Sequence, residues 1–337
     1  MARPRQLRRV LLVGWGFLGS AVGERLARDG RSLVALTRSE NVATRRARSV
    51  GIQMVIGDAA DSAVLGEALD GVDHVICAAG GLLPPEAQER PKADAVATLS
   101  PLLSLLEALR RRESVGLTYL SSGGTVYGDS AGSTARETDA VAPISAYGVS
   151  RAAAEMYVQM YGRAYGFPLQ IVRCANVYGP GQPAERSQGV VAVFLHRVAT
   201  GLPLRIVGDG TAIRDYVYVG DVADAIAGLV IGQHDAGIVN VGSGRGHTVL
   251  EVVQHVSNVV GRPAVLEFLP PRPHDVRAIV LDIAKLTGLI DYAPLSLSEG
   301  LRRSWPYSAR EAPAPEVALA TGAAADLVDP HHGSAVS

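Results

Sequence analysis

Tyr147 and Arg151 are the two residues of this sequence whose types and spacing most directly suggest chemistry. They open a helical pattern, Tyr-Gly-Val-Ser-Arg, so their side chains lie one turn apart on the same helix face. A free phenol titrates at about pH 10, and proton transfer at neutral pH needs a pKa lower by about 3 units, or roughly 4 kcal/mol. A fixed positive charge nearby favours the phenolate. The pair therefore predicts acid/base chemistry at Tyr147, with an ordinary Tyr and Arg on a surface helix as the alternative.

A glycine-rich segment near the beginning of the chain has the pattern of a dinucleotide-binding turn. Residues 10–13 form a short apolar β-run, and a helical pattern covers residues 20–28. The residues between them that carry the motif are Gly14, Gly16, Phe17, Leu18 and Gly19. The glycines permit a tight turn, close approach of a pyrophosphate and tight packing of helix on strand. This context predicts dinucleotide binding, and a glycine-rich βα turn without a ligand is the alternative.

The end of the second strand bears on the choice between NAD and NADP. Residues 33–36 form this strand, and Thr37 and Arg38 follow it. In NAD sites an acidic residue here holds the ribose hydroxyls of the adenosine, whereas an arginine can face a 2′-phosphate. The sequence therefore leans towards NADP, with a simply solvated Arg38 as the alternative.

Short β-runs alternate with helical segments over the first half of the chain. Such alternation predicts an α/β fold, a Rossmann-type doubly wound parallel sheet that binds ligands at the carboxyl ends of its strands. Pro101 predicts a break or kink in the long helix that contains it. The loop over residues 81–91 is predicted to be irregular and to cover the cofactor. The further strands are predicted at 52–56, 74–77, 117–120 and 169–174, and the helices at 62–69, 86–112 and 146–165.

The alternation weakens after residue 181, and we interpret residues 181–308 as mainly a smaller mixed α/β substrate-binding lobe. The dinucleotide-binding domain is predicted to cover 8–180 and also to receive parts of 205–245. Residues 309–337 are rich in Ala, Pro, Glu, Gly and Ser and are predicted to be disordered. The lobe's predicted helices are 190–200, 221–231 and 250–260, and its strands 204–207, 215–219 and 265–268.

Composition argues against several classes of protein. The 337 residues are 47% hydrophobic and 19% charged with a formal net charge of -1, so neither nucleic acid nor an anionic membrane is an expected partner. No apolar run approaches the roughly 18 residues that a membrane span needs, and the polar, basic segment 1–9 is unlike a signal peptide. A cytoplasmic protein is expected. Cys77 and Cys174 fall in apolar runs and are expected to be buried thiols. No metal site is predicted.

Nine sequence blocks in a common order resemble one family. The chain is similar to the nucleotide-sugar epimerase/dehydratase group of extended short-chain dehydrogenase/reductases, of the UDP-glucose 4-epimerase kind, over residues 10–305. Nine blocks in order are far more specific than any one of them. They are Gly14-x-Gly16-x-x-Gly19, Gly57-Asp58, Ala78-Ala79-Gly80, Ser121-Ser122 through Tyr127-Gly128, Tyr147-x-x-x-Arg151, 173–181, 208–219, 240–244 and Arg272-Pro-x-Asp275.

The resemblance implies roles at the cofactor end of the site. Tyr147 is the implied acid/base, which exchanges a proton with a sugar hydroxyl, and Asp58 is implied to hold the adenine. A homodimer built from the helices at 86–112 and 146–165 is also implied. The implied cofactor contacts are Gly14, Gly16, Phe17, Leu18, Gly19, Arg38, Asp58, Ala59, Ala78, Ala79, Gly80, Tyr147 and Arg151.

The resemblance also implies a site for a nucleotide-diphosphate sugar. The diphosphate is implied to contact Asn176, Arg214 and Arg272, with Asp275 holding the nucleoside ribose. Planar guanidinium groups suit such dense negative charge because they bind it through paired hydrogen bonds. A salt bridge of Arg214 with a neighbouring carboxylate, Asp215 or Asp221, is the alternative.

The sequence departs from the family pattern around the nicotinamide. Arg151 stands where the family has lysine, and it keeps the charge but cannot release a proton. The family's catalytic Ser or Thr falls at Gly123, which has no hydroxyl, so Ser122 beside it is the candidate for that role. Thr98 stands at an expected helix asparagine, and Arg38 stands near the usual acidic residue.

Three functions are consistent with these residues. The leading prediction is an NAD(P)-dependent nucleotide-sugar 4-epimerase, which transiently oxidises a ring hydroxyl and returns the hydride. Gly124-Thr125 lacks the acidic residues that family dehydratases and decarboxylases carry there, so those reactions are set aside. An NADPH-dependent 4-ketoreductase of a nucleotide-linked deoxysugar, favoured by Arg38, is the first alternative. A catalytically degenerate cofactor-binding protein, favoured by Gly123 and Arg151, is the second.

Overall fold

A parallel sheet of seven strands forms the centre of the fold, with the order β11-β7-β5-β4-β1-β2-β3. The computed structural model describes residues 7–311 except 113, 131–133, 185–188, 233–235 and 274, and the side chains of 307–311 are not described. The strands are β1 (Arg9–Val13), β2 (Ser32–Thr37), β3 (Gln53–Ile56), β4 (His74–Cys77), β5 (Gly116–Ser122), β6 (Thr134–Ala135), β7 (Leu169–Cys174), β8 (Asn176–Tyr178), β9 (Leu204–Val207), β10 (Ile213–Tyr218), β11 (Gly237–Val241), β12 (Gly246–Thr248), β13 (Leu266–Leu269) and β14 (Ala278–Leu281). The chain winds outward in both directions from β1, so the predicted doubly wound Rossmann sheet is confirmed.

Helices cover both faces of this sheet. Because successive side chains of a strand point to opposite faces, Leu11 and Leu12 of β1 belong to different cores. Leu12 lies in one core with Val22 and Ile226, and Leu11 lies in the other with Leu105. The helices are α1 (Phe17–Arg28), α2 (Val42–Ser49), α3 (Ser62–Ala68), α4 (Pro84–Glu89), α5 (Pro91–Leu109), α6 (Gly123–Val126), α7 (Ala146–Tyr165), α8 (Val190–Thr200), α9 (Val219–Ile231), α10 (Val249–Val260), α11 (Ala284–Leu289) and α12 (Leu297–Glu311).

A smaller lobe is built on a mixed sheet of the order β12-β10-β14-β6, with β8 beside β10. Only the β10–β12 pair of this sheet is antiparallel among the described strands. The parallel pair β9 and β13 lies outside it. Helices α8, α10 and α12 enclose a third core, in which Phe194, Val256 and Leu301 are buried. After β10 the chain returns to the large sheet at β11, which pairs with β7.

The helix predicted over residues 86–112 is two helices, and the predicted break at Pro101 is wrong. The chain leaves the helical conformation at Arg90, with φ -132° and ψ 62°, because the residue before a proline disfavours the α region. Pro91 then begins α5, which runs through Pro101. The loop predicted over 81–91 likewise contains α4.

Three further predictions concern the ends and the thiols of the chain. Helix α12 continues to Glu311, so the first residues of the predicted disordered segment are helical, and residues 312–337 lie outside the described part of the chain. Cys77 and Cys174 are buried free thiols, as predicted. None of the described helices has the length and hydrophobicity needed to cross a bilayer.

Candidate active site

The turn between β1 and α1 forms a glycine-lined cradle at the carboxyl end of the large sheet. Gly14 has φ +101°, which residues with side chains rarely adopt, and a Cβ there would lie 2.7 Å from the backbone nitrogen of Ala79. A Cβ on Gly19 would collide with the carbonyl oxygen of Gly14, so α1 packs directly on the turn. A Cβ on Gly16 would meet nothing within 4 Å. Phe17 and Leu18 open α1. The cradle is therefore closely packed at Gly14 and Gly19 and open at Gly16, as a bound pyrophosphate requires.

The segment Ala78-Ala79-Gly80 lies beside this cradle and links it to α7. The Ala78 N–H donates to the Val13 carbonyl at 2.8 Å and so extends the pairing of β4 with β1. The Gly80 carbonyl accepts a hydrogen bond from Nη2 of Arg151 at 2.5 Å. The structure thus brings together three separate parts of the predicted cofactor site.

Arg38 and Asp58 lie at the ends of the neighbouring strands β2 and β3, where Thr37 pairs with Ile56. Both side chains are exposed, whereas Ala59 is buried. Oδ1 of Asp58 accepts the Ala60 N–H at 2.8 Å, which holds the carboxylate against its own turn. Within the described ranges Arg38 makes no hydrogen bond or ion pair, so its guanidinium is open to a ligand at this corner.

Tyr147 and Arg151 are in contact at the start of α7. The helix begins here because the Ser145 hydroxyl accepts the Gly148 N–H at 3.2 Å. Cζ of Arg151 lies 4.8 Å from the centroid of the half-buried Tyr147 ring. Arg151 is only 7% exposed. Burial lowers the pKa of Arg151, but Tyr147 and Tyr119 raise it and the net shift is upward. A permanent cation is thus held against the phenol.

The turn after β5 leaves little space at position 123. A Cβ on Gly123 would lie 2.7 Å from Cδ1 of Leu281 and 3.1 Å from the Arg173 carbonyl oxygen. A serine here would therefore require the Leu281 side chain to move. Ser122 is half-buried at the end of β5, and its hydroxyl makes no hydrogen bond with any described residue. Because α6 packs on α7, this turn lies close to the helix that carries Tyr147.

In the parallel pairing of β8 with β10, Asn176 lies opposite Tyr216, two residues after Arg214. Oδ1 of Asn176 would lie 2.9 Å from a Cβ on Gly124, so this amide faces the α6 turn. The guanidinium of Arg214 donates to the carbonyls of Val276 and, at 3.4 Å, Arg277. Burial lowers the pKa of Arg214. Arg214 thereby anchors the start of β14 and the turn before it.

That turn carries the other two residues predicted to bind substrate. Arg272 and Asp275 are both exposed, and the Asp275 N–H donates to the Arg272 carbonyl at 3.2 Å. The charge of Asp275 raises the pKa of Arg214, whereas burial lowers it. The structure therefore places Asp275 near Arg214, while the Arg272 side chain extends into solvent.

The predicted alternative, a salt bridge from Arg214 to Asp215 or Asp221, is not what the structure shows. The Asp215 carboxylate accepts the N–H and hydroxyl of Ser243 at 2.8 and 2.6 Å. Asp221 accepts the N–H of Leu295 at 2.8 Å. In the described part of the chain neither carboxylate pairs with Arg214, whose guanidinium instead donates to backbone carbonyls.

Comparison with known proteins decides the family. The model of the NAD dependent epimerase/dehydratase family matches residues 10–242, which contain the cradle, Tyr147, Arg151 and Arg214. The chain belongs to this family. The resemblance identified from the nine sequence blocks is confirmed, and this epimerase/dehydratase is an enzyme of the extended short-chain dehydrogenase/reductase type.

Several relatives of this epimerase/dehydratase match it over most of their length. The UDP-glucose 4-epimerase of Mycolicibacterium smegmatis is 32% identical over 86% of this chain and 94% of its own. A solved structure of Thermus thermophilus UDP-glucose 4-epimerase in complex with NAD is 36% identical, with a TM-score of 0.82, and the match covers 89% of this chain and 99% of the other. The UDP-glucose 4-epimerase of Thermotoga maritima, solved with UDP-glucose, is 30% identical with a TM-score of 0.84 and coverage of 90% and 99%.

The residues of this epimerase/dehydratase fit a nicotinamide dinucleotide. The open space at Gly16 and the close approach of Gly14 to Ala79 provide the backbone cradle that a pyrophosphate needs. Asp58 lies at the strand end where the adenine is expected, and Tyr147 lies near the opposite end, beside Gly80.

Asp94 and Leu281 are residues at this site that sequence reasoning missed. Asp94 is fully buried in the first turn of α5, one turn before the buried Thr98. Its spacing from Thr98 was a usable signal, because both fall on the same face of an apolar helix. Leu281 gave no signal, since its position beside Gly123 depends on the pairing of β14 in the lobe.

Proposed function

We propose that this epimerase/dehydratase is a nucleotide-sugar 4-epimerase. The observation that carries the proposal is the contact of Tyr147 with Arg151, a phenol ring 4.8 Å from a buried cation. Through the Gly80 carbonyl the same cation is joined to the dinucleotide cradle. The relatives described above, which are named UDP-glucose 4-epimerases, support this assignment.

Proton transfer is assigned to Tyr147. Its phenolate accepts the proton of a sugar ring hydroxyl while the adjacent C–H bond gives up a hydride, and it returns the proton when the hydride adds to the other face. Arg151 favours the phenolate through its charge, and because a guanidinium does not deprotonate it supplies no proton. We assign Ser122 to hydrogen-bond the same hydroxyl. A bound nicotinamide dinucleotide supplies the hydride acceptor and donor.

The rest of the substrate is assigned to the lobe. We assign Asn176 and Arg214 to the diphosphate; among the described residues Arg214 donates to backbone carbonyls and not to a carboxylate. Arg272 and Asp275 lie on an exposed turn that Arg214 anchors. We assign Arg272 to the diphosphate and Asp275 to the nucleoside ribose.

Turnover of UDP-glucose and UDP-galactose with NAD tests the proposed function. The expected result is interconversion of the two sugars with no net formation of NADH. A protein that binds NAD but converts none of a panel of nucleotide sugars would instead be a degenerate member of the family, and the proposal would be wrong.

The exposed guanidinium of Arg38 favours a second function, an NADPH-dependent 4-ketoreductase. An arginine without a described partner at the end of β2 suits a 2′-phosphate. Consumption of NADPH in stoichiometric proportion to a nucleotide-linked 4-keto sugar would decide for this reductase. The two functions share the Tyr147 chemistry and differ in whether the hydride is returned.

Arg38→Ala is expected to weaken NADP binding by about 10- to 100-fold and to leave NAD binding within about twofold. The physical reason is the loss of a charged hydrogen bond to the 2′-phosphate, worth about 1.5–3 kcal/mol. Calorimetric titration of each dinucleotide checks this. The matched control is Arg163→Ala, an exposed arginine in the last turn of α7. Equal effects on NAD and NADP would show that Arg38 does not select the cofactor.

We further propose that the protein is a homodimer formed through α5 and α7. These helices pack together, and α7 exposes Val149, Met156 and Met160 on one face. Val96 of α5 is exposed as well. Two copies that pair these helices would bury the apolar side chains in a four-helix arrangement.

Met156→Glu is expected to convert the dimer into a monomer. A carboxylate on this face would be buried without a partner, which costs several kcal/mol. Multi-angle light scattering after size exclusion checks the mass. Val42→Glu, which replaces a side chain 73% exposed on α2 against 69% for Met156, is the control and should leave the mass unchanged. A parent protein that is already monomeric would exclude this surface as a dimer interface.

A further inference from the structure

We infer that Asp94 is a positioning residue that acts through Arg151. Its negative charge partly offsets the positive charge of Arg151 at the Tyr147 phenol. The inference rests on the proposed function, because it concerns the same phenol. Asp94 touches neither the reacting hydroxyl nor the cradle; it lies behind Arg151, on a different helix.

Asp94 is a fully buried carboxylate with few hydrogen-bond partners. It is 0% exposed in the first turn of α5. Its Oδ1 accepts the Leu82 N–H at 2.8 Å, and its Oδ2 is buried with no hydrogen-bond partner among the described residues. A single N–H is poor compensation for a buried carboxylate, which is stable only near further donors or positive charge.

Arg151 supplies the positive charge near this carboxylate. The two side chains converge on Gly81, where a Cβ would lie 2.7 Å from Nη2 of Arg151, 3.0 Å from Oδ1 of Asp94 and 2.9 Å from Oγ1 of Thr98. The glycine thus leaves room for a carboxylate and a guanidinium to approach each other around one point. Nε of Arg151 and Oγ1 of Thr98 are also buried without a hydrogen-bond partner in the described part of the chain.

The groups that face Arg151 come from four elements. They are Cys77 of β4, Asp94 of α5, Tyr119 of β5 and Tyr147 of α7. Burial raises the pKa of Cys77 to about 11 and that of Tyr119 to about 12, so both are neutral near pH 8. Asp94 is the carboxylate among these groups, and after Tyr147 and Tyr119 it contributes to the raised pKa of Arg151.

This arrangement explains how an arginine can stand beside the phenol. An arginine keeps its charge at every working pH, so its effect on the phenol cannot be reduced by deprotonation. A carboxylate behind the guanidinium reduces the field at the phenol. The hydrogen bond to the Gly80 carbonyl fixes the direction of the Arg151 side chain.

Asp94→Asn tests the inference, because the amide keeps an oxygen for the Leu82 N–H and removes only the charge. With NAD bound, the pH titration of phenolate absorbance is measured for parent and variant, and the same titration of Tyr147→Phe is subtracted from each. The midpoint of the Tyr147-dependent change is expected to move about 0.5 to 1 pH unit lower in Asp94→Asn. The acidic limb of the rate profile should move with it.

Two further variants separate charge from structure. Thr98→Val removes a polar atom beside the same glycine without changing charge, and its midpoint should match the parent's. Asp94→Ser removes the charge with a smaller side chain and replaces Asp94→Asn if that variant does not fold. An unmoved midpoint in a folded Asp94 variant would overturn the inference. The titration needs no substrate, so a protein without epimerase turnover would refute the proposed function and leave this result readable.

Discussion

Tyr147→Phe is expected to lower epimerase turnover by about 10²- to 10⁴-fold, the range that general acid/base groups contribute. The ring stays in place, so its contact with the Arg151 guanidinium is retained, and only the exchangeable proton is lost. Cofactor affinity and the thermal-unfolding midpoint should change little, because the hydroxyl is not part of the cradle or of a core. Steady-state turnover, titration of NAD and thermal unfolding measured together check this.

Tyr165→Phe is the matched control for this prediction. Tyr165 ends the same helix, is 40% exposed, and has its ring 6.0 Å from Cζ of Arg110. Its hydroxyl is remote from the cradle, so turnover should stay within about twofold of the parent. If Tyr147→Phe were as active as Tyr165→Phe, proton transfer would have to be assigned to another group. Ser122→Ala would then be the next variant to measure.

Six of the seven strands of the large sheet could be predicted from the sequence because they carry their own signal, whereas β11 was missed. Strands β4 and β7 lie between polar or glycine-containing segments, and both have the predicted bounds. The glycine motif was readable for the same reason, since a tight turn between strand and helix requires those residues locally. Local chemistry therefore predicts most of the dinucleotide-binding fold.

The lobe could not be predicted to the same depth. Strands β6, β8 and β12, of two or three residues, were missed because they are too short to show a period. Strand β14 was missed as well, although it is as long as β4. Their pairing depends on partners that are distant in the chain, as when Thr134 of β6 meets Val280 of β14. The substrate half of the site was therefore predictable by resemblance to a family and not by local pattern.

The turn after β5 also combines a feature that the sequence shows with one that depends on the fold. That Gly123 lacks a hydroxyl is plain in the sequence. The sequence does not show that a side chain at this position would contact Leu281, because Leu281 comes from the distant strand β14. Asp94 differs in part: its spacing from Thr98 was a signal, but an acidic residue in a helix normally indicates a solvated face. The contacts of Leu281 with position 123 and of Asp94 with the surroundings of Arg151 form only when separate elements pack together.

Glu155→Gln is expected to destabilise the fold by about 3 kcal/mol or more, because it leaves the charge of Arg173 buried and unpaired. Both side chains are 2% exposed, and Nη2 of Arg173 lies 2.6 Å from Oε2 of Glu155. The Ser121 hydroxyl donates to the other carboxylate oxygen at 2.5 Å. Arg173 also lies over the Tyr127 ring, with Cζ 4.7 Å from its centroid. The pair thus ties α7 to β5 and β7, directly behind the turn that carries Ser122.

Chemical denaturation of two comparison variants distinguishes this cost from the loss of any ion pair. Glu267→Gln breaks the exposed pair with Arg205, whose side chains are 45% and 64% exposed, and should cost less than about 1 kcal/mol. The double variant Glu155→Leu with Arg173→Met removes both buried charges and should lose less stability than Glu155→Gln alone, since no charge is left without its partner. If Glu155→Gln were no more destabilising than Glu267→Gln, solvent must reach Arg173. The buried pair would then align α7 with the sheet without contributing measurably to its stability.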